Sequence, residues 1–341
     1  MLYFDSDYMR GACPEIMAKL NETDMEQTRG YGDDQYTQRA KELILEACGL
    51  PRGEVYFLVG GTQTNATVID GLLRRHEGVV AVDSGHINVH EAGAIEAAGH
   101  KVLTIPSTTG KLDAEALRAY LKDFYSDETW THMVTPGMVY ITHSTEYGGL
   151  YTLAELTAIS EVCHEYRLPL YMDGARLAYA LGAPSSDLTL KDIARLCDIF
   201  YIGGTKCGAL FGEAVVTSRP ELLPHFFTLI KQHGALLAKG RLHGIQFSTL
   251  FTDGLYERLG RHAVEQALRM KQGFVAKGYE TYLDSPTNQQ FFRLPNELID
   301  RLMPEASFEL WGPRGEKSSL VRFVTDWGTP PSDIDALLEL I

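Results

Sequence analysis

Short apolar runs alternate along this chain with stretches whose apolar positions recur at helical spacing. Val55-Tyr56-Phe57-Leu58-Val59, Val79-Val80-Ala81-Val82, Met138-Val139-Tyr140-Ile141-Thr142, Leu168-Pro169-Leu170-Tyr171-Met172 and Asp198-Ile199-Phe200-Tyr201-Ile202 read as buried strands, with Lys101 to Ile105 and Ala214 to Thr217 beside them. Between them, Ala40, Leu43, Ile44 and Ala47 lie on one helical face, closed by Gly49 and Pro51. Ala66 to Leu73, the segment opened by Asp113-Ala114-Glu115 and the amphipathic Leu153 to Tyr166 predict further helices. Such alternation predicts an α/β fold with a mostly parallel seven-stranded sheet, mixed at most near an edge.

The pattern changes from Leu222 onward. Leu222 to Gln246 mixes apolar residues with Lys231, Lys239, Arg241 and His243, and Asp253 to Lys277 predicts a long helix with a break near Gly260. Phe291 to Leu294 and Ser319 to Val324 predict strands, and Ile334 to Ile341 a closing helix, together a smaller C-terminal α+β domain. Residues 1–34 are polar and turn-rich and are expected to pack over the other parts. At 341 residues the chain exceeds one core. The expected division is 1–34, a large domain over 35–250 and a small one over 251–341.

Charge narrows the function. With 31 Lys+Arg against 45 Asp+Glu the formal charge is −14, which disfavours nucleic acid and anionic membranes as partners. The five cysteines form no CxxC pair, so neither a disulfide framework nor a metal site is expected. Met1 to Asp7 lacks a basic region followed by an apolar core, and no run approaches the ~20 apolar residues of a membrane span, so a cytoplasmic protein is expected.

Candidate chemistry collects where strands end. Gly203-Gly204-Thr205-Lys206 follows an apolar run, and a lysine in an apolar, glycine-lined pocket loses its proton by desolvation and becomes a Schiff-base nucleophile. Taken alone, the run also suits a surface lysine in a turn. Gly60-Gly61-Thr62-Gln63-Thr64-Asn65 joins a strand to a helix and can present free N–H groups to a phosphate, although it is neither GxGxxG nor a P-loop. His86, with His90 and Glu91 behind it, follows the next strand; the same spacing suits a helix start. Asp173 and Arg176 follow another strand, where a turn residue and a surface ion pair are the plain alternatives. The C-terminal ends of parallel strands share one edge of a sheet, so these groups can meet in one pocket. An anion turn, an imidazole, a carboxylate and a neutral lysine together describe a site for pyridoxal 5′-phosphate.

These motifs, with Ser84-Gly85-His86-Ile87-Asn88-Val89-His90-Glu91-Ala92-Gly93 and Tyr171-Met172-Asp173-Gly174-Ala175-Arg176-Leu177, resemble the low-specificity threonine aldolases of the β-eliminating lyase group. Order and spacing match from about residue 55 to 216, with an echo in Val321-Arg322-Phe323-Val324-Thr325. The resemblance implies a fold-type-I pyridoxal-phosphate enzyme, a homodimer or homotetramer with shared active sites. It implies that Lys206 forms the Schiff base, His86 stacks on the cofactor ring, Asp173 holds the ring nitrogen protonated, and Gly61, Thr62 and Gln63 cradle the phosphate. Arg176, Arg322 and Ser6 would bind the carboxylate of an amino acid substrate, and Arg241 a neighbouring subunit's phosphate. The implied reaction cleaves a β-hydroxy amino acid of the threonine or allo-threonine type to glycine and an aldehyde. A β-elimination of the tryptophanase or tyrosine phenol-lyase kind, and a non-catalytic binding module, are the alternatives. The chain departs from the family in the loop after Thr142, where a second active-site histidine follows an Asn-Thr pair and this chain reads His143-Ser144-Thr145-Glu146. It also carries Asp5-Ser6-Asp7-Tyr8 in place of the family's Ser-Asp-Thr.

Overall fold

The computed structural model describes residues 1–341. Strands β1 (Glu54–Leu58), β2 (Glu77–Val82), β3 (Lys101–Ile105), β4 (Thr135–Thr142), β5 (Leu170–Asp173), β6 (Ile199–Gly203) and β7 (Glu213–Thr217) form one sheet in the order β1-β7-β6-β5-β4-β2-β3. The run from β6 through β5, β4 and β2 to β3 is parallel, whereas β7 is antiparallel to both β1 and β6. The reversal lies one strand in from the edge. Only the loop around Lys206 joins β6 to β7, and it is too short for the crossover a parallel neighbour needs.

Both faces of the sheet are covered. Val80, Val82, Val139, Ile141, Met172, Phe200 and Ile202 enter one apolar core, and Val79, Ala81, Met138, Tyr140, Tyr171, Ile199 and Tyr201 the other. Burial of each large apolar side chain contributes roughly 1.5–3 kcal/mol, which accounts for strands that are apolar at nearly every position. Polar residues concentrate at the strand termini, and Thr142 stands opposite Asp173 in register at one of them.

Two predicted helices differ in detail. The helix expected from Ala66 begins at Gly61 and runs to Leu72, entered through an extended Gly60 with no side-chain cap. Leu255–Ala276 is continuous through Gly260. A Cβ at Gly260 would lie 2.1 Å from Ala178 O, so this glycine lets the helix press against Leu177–Gly182 and marks a packing contact instead of a break. That contact outweighs the ~1 kcal/mol cost of glycine in a helix.

A four-stranded antiparallel sheet, in the order Glu309–Leu310, Ser318–Val324, Gln289–Pro295, Thr281–Leu283, forms the C-terminal part. Its core includes Phe274, Phe292 and Phe323, and Phe4 from the other end of the chain. The N-terminal segment is more structured than its polarity suggests. Leu2–Tyr3 pairs in parallel with Ala306–Ser307, and Cys13 and Ile16, at the start of the helix Pro14–Glu22, enter the main core. All five cysteines are free and buried. No helix is long and apolar enough to cross a membrane.

Candidate active site

A cavity of about 190 Å³ opens at the C-terminal ends of β4, β5 and β6. Lys206, Asp173, His86, Gly61, Thr62 and Arg176 all line it.

Its floor depends on glycines that let backbones touch. A Cβ at Gly174 would stand 2.0 Å from Tyr201 O, and one at Gly203 would stand 2.3 Å from Ala175 O. Their absence allows Gly203 N–H to donate to Gly174 O at 3.0 Å, which brings Asp173 beside the Lys206 loop. That loop is fixed by Thr205 N–H donating to Gly212 O (3.1 Å) and by Tyr179 O–H donating to Lys206 O. Lys206 is half-buried, and its ammonium lies 5.9 Å from the Tyr8 ring centre. Desolvation, reinforced by the Arg176 charge, pushes its pKa below the usual lysine value against the pull of Asp7, Asp173 and Glu213.

Asp173 is buried in a set of donors. Tyr140 O–H (2.8 Å) and Asn65 Nδ2 (2.9 Å) donate to Oδ2, and Ala175 N–H donates to Oδ1 (3.0 Å). Burial raises the carboxyl's pKa, but the neighbouring His86 and these bonds prevail and keep it below its ordinary value. Tyr171 O–H donates to Asn65 Oδ1 at 2.9 Å, which orients the amide. Asn65 also donates to Glu91 Oε1 (2.7 Å), and the same oxygen lies 2.7 Å from His86 Nδ1. An accepting carboxylate there places the imidazole proton on Nδ1 and leaves Nε2 free.

The helix Gly61–Leu72 points its uncapped N-terminus at the cavity, and a side chain at position 61 would crowd the Tyr201 hydroxyl at 3.1 Å. The Thr64 hydroxyl behind it is buried without a partner. Free amides at a helix start suit a phosphate, an ionised carboxylate suits a protonated ring nitrogen, and a lysine whose pKa is lowered suits an aldehyde. The residues present therefore fit pyridoxal phosphate.

Of the other predicted residues, Gln63, Arg322, Ser6 and Arg241 are not part of this lining. Gln63 donates its side chain to His233 O at 3.0 Å. Arg176 is held by Asp7, which accepts from Nε (2.7 Å) and Nη2 (3.1 Å) and also from Asn288 (3.0 Å). Arg322 donates to Gln289 Oε1 (2.9 Å), pairs with Glu309 and lies 4.7 Å from the Trp311 ring centre, and its Nε is buried without a partner. Ser6 faces a separate hollow shared with Arg10 and Asp326, while Asp7 beside it reaches Arg176. Arg241 donates to the carbonyls of Thr23 (2.6 Å) and Glu26 (2.7 Å), away from this chain's own cavity.

Sequence reading missed Asn65, Tyr140 and Tyr201, whose strand or helix settings resemble ordinary core positions. It also passed over Glu146 and Glu213, which line the cavity. Both left a signal, since each is a carboxylate beside an apolar strand run. Glu213 accepts from Gly204 N–H at 3.0 Å, and burial pushes its pKa up to about 8.

Comparison with known proteins agrees with this geometry. The beta-eliminating lyase family profile matches residues 4–281. The low-specificity L-threonine aldolase of Pseudomonas sp. (strain NCIMB 10558) is 31% identical, over 98% of this chain and 95% of its own. A solved structure of Leishmania major threonine aldolase superposes with a TM-score of 0.97 at 42% identity, covering 100% of this chain and 98% of that one. Thermus thermophilus aspartate aminotransferase, at 13% identity and a TM-score of 0.71 over 99% of this chain and 95% of its own, shares the fold-type-I architecture. The chain belongs to the pyridoxal-phosphate-dependent beta-eliminating lyase family and, within it, to the low-specificity threonine aldolases.

Proposed function

We propose that this protein is a carbon–carbon lyase that cleaves a β-hydroxy amino acid of the L-threonine or L-allo-threonine type to glycine and an aldehyde, using pyridoxal 5′-phosphate. The observation that carries the reading is the single cavity in which Lys206, Asp173, His86 and the uncapped helix start at Gly61 meet. Lys206 would hold the cofactor's aldehyde carbon, Asp173 its ring nitrogen, the amides of Gly61, Thr62 and Gln63 its phosphate, and the His86 ring would lie against its face. When bound, the cofactor supplies a carbonyl for the substrate amine and a cationic ring that accepts the electron pair released at Cα.

The protein's own residues then do the rest. Arg176 and Arg322 take the substrate carboxylate, since a guanidinium binds a carboxylate with two parallel hydrogen bonds. Asp7 presets Arg176 through Nε and Nη2, and Nη1 is not engaged by it. Lys206, deprotonated more readily than an exposed lysine, can take a proton from Cα or return one to it. Asn65, Tyr140 and Ala175 N–H keep Asp173 ionised throughout.

The test is to incubate the cofactor-loaded protein with L-threonine and L-allo-threonine and measure glycine and acetaldehyde. Formation of both supports the reading. Ammonia and pyruvate from amino acids with a β leaving group, with no aldol cleavage, would replace it by β-elimination.

A further inference from the structure

The loop after β4 carries a histidine, but not into the cavity. His143 is buried beside Tyr151, whose N–H donates to its Nδ1 at 3.4 Å, and it is absent from the cavity lining. Burial pushes its imidazole down to about 4, so it is neutral at ordinary pH. Three residues later the same loop places Glu146 in the cavity wall beside Thr142, Ser144 and His86.

The two oxygens of Glu146 differ. Oε1 accepts from His86 N–H at 2.8 Å and from the Thr142 hydroxyl at 2.9 Å. Oε2 is buried with no partner. A buried oxygen without a donor costs on the order of 1–3 kcal/mol, more when charged, unless a ligand supplies one. The substrate's β-hydroxyl is such a donor.

We propose that Glu146, through Oε2, is the base that takes the proton from the β-hydroxyl of the substrate. The inference rests on the aldol-cleavage reading above. In the step, the O–H bond breaks and its proton passes to Oε2, and the O–H electron pair becomes the second C–O bond of the aldehyde. The Cα–Cβ bond breaks with its pair left on Cα, and a proton added at Cα completes glycine, so protons balance over the cycle. Burial raises the Glu146 carboxyl, with Asp173 adding to the rise and His86 opposing it, which makes it a stronger base than an exposed glutamate. Tyr8, Tyr140, Tyr147, Tyr151, Arg176, Tyr201, Lys206 and Glu213 are the other ionisable groups around it. Glu213, at about 8, is largely protonated at neutral pH and cannot accept a proton there. His86 has its Nδ1 committed to Glu91 and its Nε2 free, so it is the rival acceptor, and cleavage retained without the Glu146 carboxylate would assign the proton to it.

Glu146→Gln separates this role from a structural one, because glycine has no β-hydroxyl. The loaded variant is expected to keep the cofactor's absorbance band and to exchange the glycine α-proton in D2O within about threefold of wild type. Its cleavage of L-threonine should fall by about 10²-fold or more, and the acidic limb of the wild-type pH profile should disappear. Glu146→Asp keeps a carboxyl and should recover part of that cleavage. Cleavage near wild-type level with an unchanged profile overturns the assignment, as does loss of the band and of exchange together with cleavage. A wild-type protein that exchanges glycine but cleaves no β-hydroxy amino acid overturns the functional reading instead, and the wild-type arm alone reveals it.

Discussion

The Asp173 end of the cavity and its Arg176 end are built in different ways. Asp173, His86 and Lys206 each leave a strand of one parallel run, so the sheet itself brings them together. Behind them a closed network of Tyr171, Asn65 and Glu91 fixes both Asp173 and the His86 tautomer. Arg176 also leaves the sheet, but its partners come from far along the chain: Asp7 lies 169 positions away and is itself held by Asn288. Arg322 stands on the C-terminal sheet. The first end can form as soon as the large sheet forms, whereas the second requires both ends of the chain to be docked. A loss at the first end should therefore appear in chemistry, and a loss at the second in substrate affinity and stability.

The largest effect is expected at the sheet edge. Lys206→Ala should reduce turnover by on the order of 10³-fold or more, equivalent to ~4 kcal/mol of barrier, and abolish borohydride trapping of cofactor on the chain, with the circular dichroism unchanged. Retained trapping at another lysine would break the comparison. Asp173→Asn keeps the shape and removes the charge, and should lower kcat by about 10²-fold with KM changed little.

At the other end the balance should reverse. Arg176→Lys cannot reproduce a two-pronged contact and should raise KM about tenfold, or ~1.4 kcal/mol, with a smaller change in kcat. A larger fall in kcat than rise in KM would place Arg176 with the chemistry instead.

Asp7→Asn tests the docking of the N-terminal segment through pH. Burial would raise the Asp7 carboxyl, but the charges of Arg176 and Lys206 and the bonds from Arg176 and Asn288 bring it from 3.8 to about 2. A folded-state value below the unfolded one contributes stability above pH 3.8 that fades as pH falls toward about 2, here roughly 2.5 kcal/mol. Denaturant unfolding at pH 7 should show a loss of that order for the variant, shrinking as the wild type is acidified. An equal loss at every pH would contradict the charge pairing. The smallest effect belongs to neither end: Thr152→Ala removes the hydroxyl of the capping box formed with Glu155 and should cost about 1 kcal/mol of stability with kinetics unchanged.

Several contacts depended on sequence features too weak to read. Gly260 looks like a helix breaker, and only the neighbouring Ala178 carbonyl shows why it is tolerated. The polar segment 1–34 hides Phe4, which belongs to a core formed mostly by residues beyond 269. Ser6 and Asp7 are adjacent, and nothing local indicates which of them turns to Arg176. Glu146 is a carboxylate just after a strand, but so local a pattern does not distinguish it from His143 three residues earlier as the group that enters the cavity.

By itself the sequence determined the alternation of strand and helix and the placement of a lysine, a carboxylate, an imidazole and an anion turn at strand ends. Those features are local, since a buried strand must be apolar until it leaves the sheet and its chemistry can begin only there. Tertiary structure alone decided which oxygens and nitrogens were occupied. It turned His143 into the core and Glu146 into the cavity, gave Arg176 to Asp7, and set Arg241 on the carbonyls of Thr23 and Glu26. Each of those choices is made by partners distant in sequence, because a buried charge or polar group takes whichever donor or acceptor the packed chain presents to it.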